Sequence, residues 1–344
     1  MSELANESTQ LPDLFSRQDD GRVLCLLCAH GCRLEDGQRG ICGVRERQGD
    51  RIVSLVYGRL VAEHVDPIEK KPLFHLLPGS LSYSIATAGC NFSCRHCQNA
   101  TISQVGRHFD PLANPIRREP QEVVAAAIRA GCRSISYTYV EPTVFLEFAY
   151  DCCLAATDAG LKNVFVSNGY MTAKVAELLA PQLTAINIDL KSFRDDFYRK
   201  VCGARLDPVL ASIRRFVELG VWVEVTTLII PGYNDSVEEL TEIAAFLAGV
   251  DRDLVWHVTG YYPAHLMTAP ATPAATLARA REIGFEQGLR HVYTGNLPGI
   301  KGENSFCPGC HAEVILRRGF QLLANHLRDG RCPECGEEIA GVWS

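Results

Sequence analysis

No stretch of the 344-residue chain approaches the ~20 consecutive apolar residues that a membrane helix needs. Positive charge is not in surplus either. The 34 Lys and Arg against 40 Asp and Glu give a formal net charge of −6, which leaves no overall footprint for nucleic acid or an anionic membrane. Residues 1–20 lack the basic start and apolar run of a signal peptide, and are expected to form a polar, mobile tail. A cytoplasmic location is the expectation. What remains is ordinary for a globular protein: 47% hydrophobic and 22% charged residues, with length for one large α/β domain plus small appendages.

Against that background, fifteen cysteines are conspicuous. A reducing cytoplasm disfavours disulfides, so their grouping matters more than their number. Cys25, Cys28, Cys32 and Cys42 form one set, Cys90, Cys94 and Cys97 a second, and Cys307, Cys310, Cys332 and Cys335 a third. These eleven read as metal ligands. Cys132, Cys152, Cys153 and Cys202 lie in apolar segments and read as small buried hydrophobes.

Between the second and third sets, strand-like runs alternate with helix-period segments. The runs are SYSIATAG (82–89), SISYTYV (134–140), NVFVSNG (163–169), AINIDLK (185–191), VWVEVTTLII (221–230), LVWHVTG (254–260) and HVYTGN (291–296). Spacers of this length imply parallel strands joined by right-handed crossovers. Six or seven repeats suit a partial (β/α) TIM-like barrel with small Cys-rich appendages at both ends. The expected division is a tail (1–20), an N-terminal Cys-rich segment (21–50), the barrel (51–300) and a C-terminal module (301–344).

Parallel α/β folds place their sites at the C-terminal ends of the strands. Cys90 follows the first run, Glu141 ends the second and Asn168 the third. Asp189 and Lys191 end the fourth, His257 sits in the sixth, and Asn296 closes the last. Singly, each reads as a turn or cap residue; repetition at one end of the sheet points to a shared site.

The loop GCNFSCRHCQN (89–99) spaces its cysteines C-x3-C-x2-C. A structural zinc wants four ligands, and His96, adjacent to Cys97, is poorly placed to face the same ion. Three thiolates on one loop can instead hold a [4Fe–4S] cluster with one iron left free of protein. The absent fourth cysteine is then the place where a second molecule binds.

These residues resemble the radical S-adenosylmethionine (SAM) superfamily. The series HVDPIEKKPLFHLLPGS, GCNFSCRHCQN, YTYVEPTVF, VSNGY, NIDLKSF, IIPGYND and VYTGNLPG, running from about residue 25 to the C-terminus, is similar to the AmmeMemoRadiSam system radical SAM enzymes, relatives of the pyruvate formate-lyase activating enzymes. The resemblance implies reductive SAM cleavage at the cluster and hydrogen abstraction by a 5′-deoxyadenosyl radical. It implies cofactor roles for His96, in the aromatic position before the last cysteine, for Glu141 at the SAM amino group, and for Asn168, Asp189, Lys191 and His257. The double glycine usual before that glutamate is absent, and Val166 replaces an aspartate that helps bind a monovalent cation. Implied partners are an electron donor such as flavodoxin or ferredoxin, and AMMECR-type and Memo-type proteins. An activase making a glycyl radical on a protein partner, or a metal-bearing RNA- or protein-binding scaffold without SAM turnover, are the alternatives. No pattern identifies the substrate; VTGYYPAH (258–265) lies near the expected mouth.

The C-terminal cysteines, C-x2-C-x21-C-x2-C, have zinc-ribbon spacing, with a rubredoxin-like iron site as rival. Residues 301–344 carry five Lys/Arg against six Asp/Glu, so no basic face for nucleic acid stands out. The N-terminal set, C-x2-C-x3-C-x9-C, suits zinc or a second iron–sulfur cluster, its glycine-rich knuckles leaning towards zinc.

Overall fold

The computed structural model describes residue 11 and residues 14–105, 115–297 and 302–344. Most of the expected tail, and the final PG of VYTGNLPG, fall outside them. Seven parallel strands form the central sheet: β2 (Leu81–Ala86), β3 (Ser134–Tyr137), β4 (Lys162–Ser167), β5 (Ala185–Asp189), β6 (Trp222–Ile229), β7 (Val255–Gly260) and β8 (Val292–Gly295). Each expected run overlaps one of them, β2 and β4 starting one residue earlier than expected. An eighth, β1 (Ala62–Pro67), pairs antiparallel with β2 and was not anticipated. Its AEHVDP carries neither an apolar run nor clean alternation. The order is β8-β7-β6-β5-β4-β3-β2-β1, and among the described residues no ladder joins β8 to β1, so hydrogen bonding there does not close a barrel.

Between the strands run α1 (Pro120–Arg129), α2 (Leu146–Asp158), α3 (Ala173–Leu179), α4 (Asp207–Glu218), α5 (Val237–Val250) and α6 (Ala274–Glu286). Their starts are written locally. Glu119 and Glu122 form a reciprocal capping box on α1, and Thr172 and Ser236 accept from Val175 N and Glu239 N at the starts of α3 and α5. Cys132, Cys152, Cys153 and Cys202 are buried, as expected.

The expected division at residue 50 falls in the turn of a hairpin, Arg45–Gln48 with Arg51–Ser54. The N-terminal segment packs onto the cysteine loop. Gly89 has φ +95°, and a Cβ there would meet Val44 Cγ1 at 2.7 Å and Cys42 O at 3.0 Å. Only glycine permits that approach.

The C-terminal module is a three-stranded antiparallel sheet (Ser305–Phe306, Glu313–Arg318, Gln321–Asn325) docked through buried polar contacts. Arg317 Nη2 donates to Phe74 O at 2.7 Å, and its guanidinium lies 4.4 Å from the Phe74 ring. Val342 exchanges backbone bonds with His75 and Leu77. His75 Nδ1 donates to Ala340 O at 2.7 Å, and its Nε2 accepts from the Tyr293 hydroxyl at 2.6 Å. The His291 ring packs 4.4 Å from His75, its Nε2 making no hydrogen bond but lying 4.0 Å from Asp253 Oδ1. Burial holds His291 down to about 4 and His75 well below the usual histidine range.

A histidine whose folded pKa is depressed binds more protons when unfolded. Its stabilising effect is complete above the unfolded value of about 6.5 and is lost as pH falls towards about 4. Unfolding free energy should therefore drop by on the order of 3 kcal/mol through His291 across that window. Denaturant titrations at stepped pH should show a shallower slope for His291→Leu than for the wild type. Acid loss of metal is common to both proteins and cancels in the difference. Parallel profiles would remove His291 from the account.

Candidate active site

A cavity of about 620 Å³ opens at the C-terminal ends of the strands. Cys90, Cys94, Cys97, His96, Glu141, Asn168, Asp189, Lys191, His257 and Asn296 all border it, although they come from six separate places in the chain. Of the segment 258–265, Thr259 alone is among the bordering residues. Phe320, at the hairpin tip of the C-terminal module, borders it too.

The cysteine loop is held from several sides. Ser93 N and Arg95 N donate to Cys202 O at 2.8 Å and Val201 O at 2.9 Å, at the end of the short helical segment between β5 and α4. Phe92 N lies 3.4 Å from Cys90 Sγ, and Ser103 Oγ is 3.1 Å from Cys97 Sγ. Among the described residues, the C-terminal quartet alone brings its ligand atoms all within 4.8 Å of one another. The three loop sulfurs stand wider than one ion requires. That suits a cubane, in which each thiolate binds a different iron, and the loop's donors to Cys90 and Cys97 suit thiolates. The residues present therefore fit a [4Fe–4S] cluster.

Glu141 is 2% exposed, and burial raises its pKa. A carboxylate in that position must collect donors. It accepts from Thr143 N at 3.1 Å, Thr143 Oγ1 at 2.6 Å, Ser167 Oγ at 2.9 Å and Asn168 N at 2.7 Å. Asn168 is similarly committed. Its Nδ2 donates to Asn91 Oδ1 at 2.7 Å, and its Oδ1 accepts from Tyr170 N. Both side chains join strand ends to the cysteine loop before any ligand arrives.

Asp189 and Lys191 differ. They pair at 2.8 Å, with the Asp189 side chain 36% exposed at the cavity wall. Asp189 ends β5, and Lys191 follows it two positions on, beyond the strand. His96 is buried, with Nδ1 unpartnered; desolvation, then Lys191, draw its pKa down to about 3, so the ring is neutral. His257 Nε2 donates to Glu224 Oε2 at 2.6 Å, and its ring meets Phe74 edge-on. Glu224 also accepts from Phe74 N, His75 N and Trp222 Nε1. On this geometry His257 belongs chiefly to the framework beneath the cavity.

Sequence reasoning missed a second charged cluster at the cavity. Asp66 accepts from Lys70 at 2.8 Å, Lys71 at 2.6 Å, Ser84 at 2.9 Å and the Tyr139 hydroxyl. Burial pulls Lys71 down to about 8 despite Asp66. Tyr139 holds φ +65°, a strained setting for a bulky residue, with its carbonyl tied to Asn99 Nδ2. The adjacent lysines of EKKP were the available signal.

In the C-terminal quartet, Cys307 and Cys335 sulfurs are 3.5 Å apart, and those of Cys310 and Cys332 are 3.7 Å apart. A tetrahedral ion at about 2.3 Å from each sulfur needs edges of about 3.8 Å. The set is sized for one ion. At Cys332 the effect of desolvation is outweighed by N–H groups of Cys335 and Glu334, which draw the thiol down to about 7.

The sequence profile of the radical SAM superfamily matches residues 84–247. The chain is 43% identical to an uncharacterized protein of Methanocaldococcus jannaschii, over 94% of this chain and 97% of that one. It is 26% identical to the mitochondrial GTP 3′,8-cyclase of Arabidopsis thaliana, over 85% and 82% of the two chains. A radical SAM methyltransferase from Sphaerobacter thermophilus shares the fold, with a TM-score of 0.50 at 16% identity, over 85% of this chain and 80% of that one. No described helix is long and apolar enough to cross a membrane.

The two carboxylates should respond differently to neutralisation. Glu141→Gln sets an amide against N–H donors and should cost about 1–3 kcal/mol of unfolding free energy. Asp189→Asn, hydrated at the cavity wall, should cost less than about 1 kcal/mol. Chemical denaturation measures both, and equal losses would place Asp189 in the framework with Glu141.

Proposed function

This chain belongs to the radical SAM superfamily, and we propose that it cleaves SAM at a [4Fe–4S] cluster held by Cys90, Cys94 and Cys97 to abstract hydrogen from a substrate in the cavity. The observation that carries this reading is the convergence of the three cysteines and the Asp189–Lys191 pair on one cavity wall. When bound, cluster and SAM together supply a one-electron reductive cleavage that yields methionine and a 5′-deoxyadenosyl radical.

The residues' own parts follow from charge and commitment. Asp189 and Lys191 match the ammonium and carboxylate of SAM, and can trade their mutual pairing for charge-assisted bonds to the ligand. His96, neutral, offers an uncommitted Nδ1. The family resemblance puts Glu141 at the SAM amino group. Its donors here support a bracing part instead, shared with Asn168. His257 braces the wall through Glu224.

The motif series supports placement in the AmmeMemoRadiSam subgroup, with AMMECR-type and Memo-type proteins as the first partners to test. Radical SAM enzymes generally take electrons from a reductant such as flavodoxin or ferredoxin. Activation of a glycyl-radical protein is the second reading, favoured by the NIDLK match to the activating enzymes. We assign zinc to Cys307, Cys310, Cys332 and Cys335 on their sulfur spacing, and a cytoplasmic location on the free thiols.

Anaerobic incubation with SAM and dithionite should release 5′-deoxyadenosine, and adding SAM should change the cluster's electron paramagnetic resonance. Replacing Cys90, Cys94 and Cys97 together by Ala should abolish both. Undiminished 5′-deoxyadenosine from that variant would sink the reading. Replacing Cys307 and Cys310 should release about one zinc per chain without loss of iron; loss of iron instead would reassign the ribbon.

A further inference from the structure

The N-terminal cysteines Cys25, Cys28, Cys32 and Cys42 come from a short strand, two turns and a loop, yet all four line one cavity of about 20 Å³. Cys25 is buried and the other three are partly buried. Backbone N–H groups of Leu27, His30 and Val44 bond to Cys25, Cys28 and Cys42. Each donor lies two residues beyond its sulfur, the pattern that Phe92 N makes to Cys90. Such loops are shaped to stabilise thiolates, so this group reads as a ligand set.

Three observations decide which metal. First, this quartet is absent from the described groups whose ligand atoms all lie within 4.8 Å of one another, whereas the C-terminal quartet meets that spacing. Both sets were read from sequence as zinc-compatible, but only the C-terminal one closes to the edges a tetrahedral ion requires. Second, the N-terminal sulfurs surround open space. A cubane would put inorganic sulfide in that space. Third, two buried donors on the cavity lining lack partners: Arg45 Nε and Asn91 Nδ2. Arg45 is 4% exposed and Asn91 1%. Their other atoms are anchored, Arg45 to Glu147 at 2.5 and 2.7 Å, and Asn91 through Oδ1 to Asn168 Nδ2. Buried N–H groups left unpaired are costly, and the inorganic sulfides of a cluster are acceptors that a lone ion would not add.

We propose that Cys25, Cys28, Cys32 and Cys42 hold a second [4Fe–4S] cluster rather than zinc. All four irons then carry a protein thiolate, so the cluster has no open position for a small molecule and its chemistry is one-electron exchange. The site stands independently of SAM cleavage. It is nevertheless adjacent to the central loop: His30 Nε2 donates to Asn91 O at 2.7 Å, and Asn91 follows Cys90 in the chain.

The test counts metal in the full-length protein after anaerobic reconstitution. The wild type should hold about eight irons and eight sulfides per chain, with about one zinc. The Cys90→Ala, Cys94→Ala, Cys97→Ala variant should keep about four of each, with a reduced-state [4Fe–4S] resonance that SAM does not alter. Cys25→Ala with Cys28→Ala should also hold about four, now with a SAM-sensitive resonance. If that variant fails to fold, the central triple variant still decides. About two zincs in the wild type, with no iron left in the central triple variant, would overturn the proposal. Iron in the triple variant alongside a wild type that makes no 5′-deoxyadenosine would sink SAM cleavage and leave this site standing.

Discussion

The Glu141 carboxylate is the constraint on which the site depends. Removed from water, it is tolerable only with donors on its oxygens, and those donors come from Thr143, Ser167 and Asn168. Asn168 extends the network to Asn91 in the cysteine loop. One desolvated charge thus sets β3, β4 and the loop in mutual register. The strand ends are positioned by an electrostatic requirement rather than by apolar packing, which is tolerant of shape.

Glu224 performs the equivalent task deeper in the sheet. Fully buried, it gathers backbone N–H groups of Phe74 and His75, the Trp222 indole and His257. Phe74 and His75 in turn receive the C-terminal module through Arg317, Ala340 and Val342. The module is therefore coupled to the floor of the cavity, and its Phe320 reaches the rim. A change at the module's four cysteines would be felt at the rim of the cavity.

How much of this was legible in the sequence differs by feature. Parallel strands buried on both faces are written as apolar runs, so β2 to β8 could be read directly. Polar residues recurring at their C-terminal ends gave Cys90, Glu141, Asn168, Asp189 and Lys191 as neighbours. The partners of buried charges were not legible, because Glu224 and Phe74 lie 150 positions apart and no local pattern joins them. The same holds for Asp66 with Tyr139, 73 positions apart. Nor could spacing along the chain separate the two cysteine quartets. Both follow C-x2-C rules, and the difference lies in the distances between sulfurs, which only the folded chain defines.

The antiparallel strand β1 has a consequence for the protein among its neighbours. A sheet of parallel strands is slow to assemble, and a bare edge would template pairing with another molecule. β1 occupies that edge with charged side chains. Glu63 is bound to Arg118 at 3.0 Å, Asp66 to the exposed Lys70 at 2.8 Å, and Pro67 ends the strand. An edge studded with ion pairs and stopped by proline is a poor template for a further strand. The solubility of the folded chain is thus guarded at the one side of the sheet where the strand direction reverses.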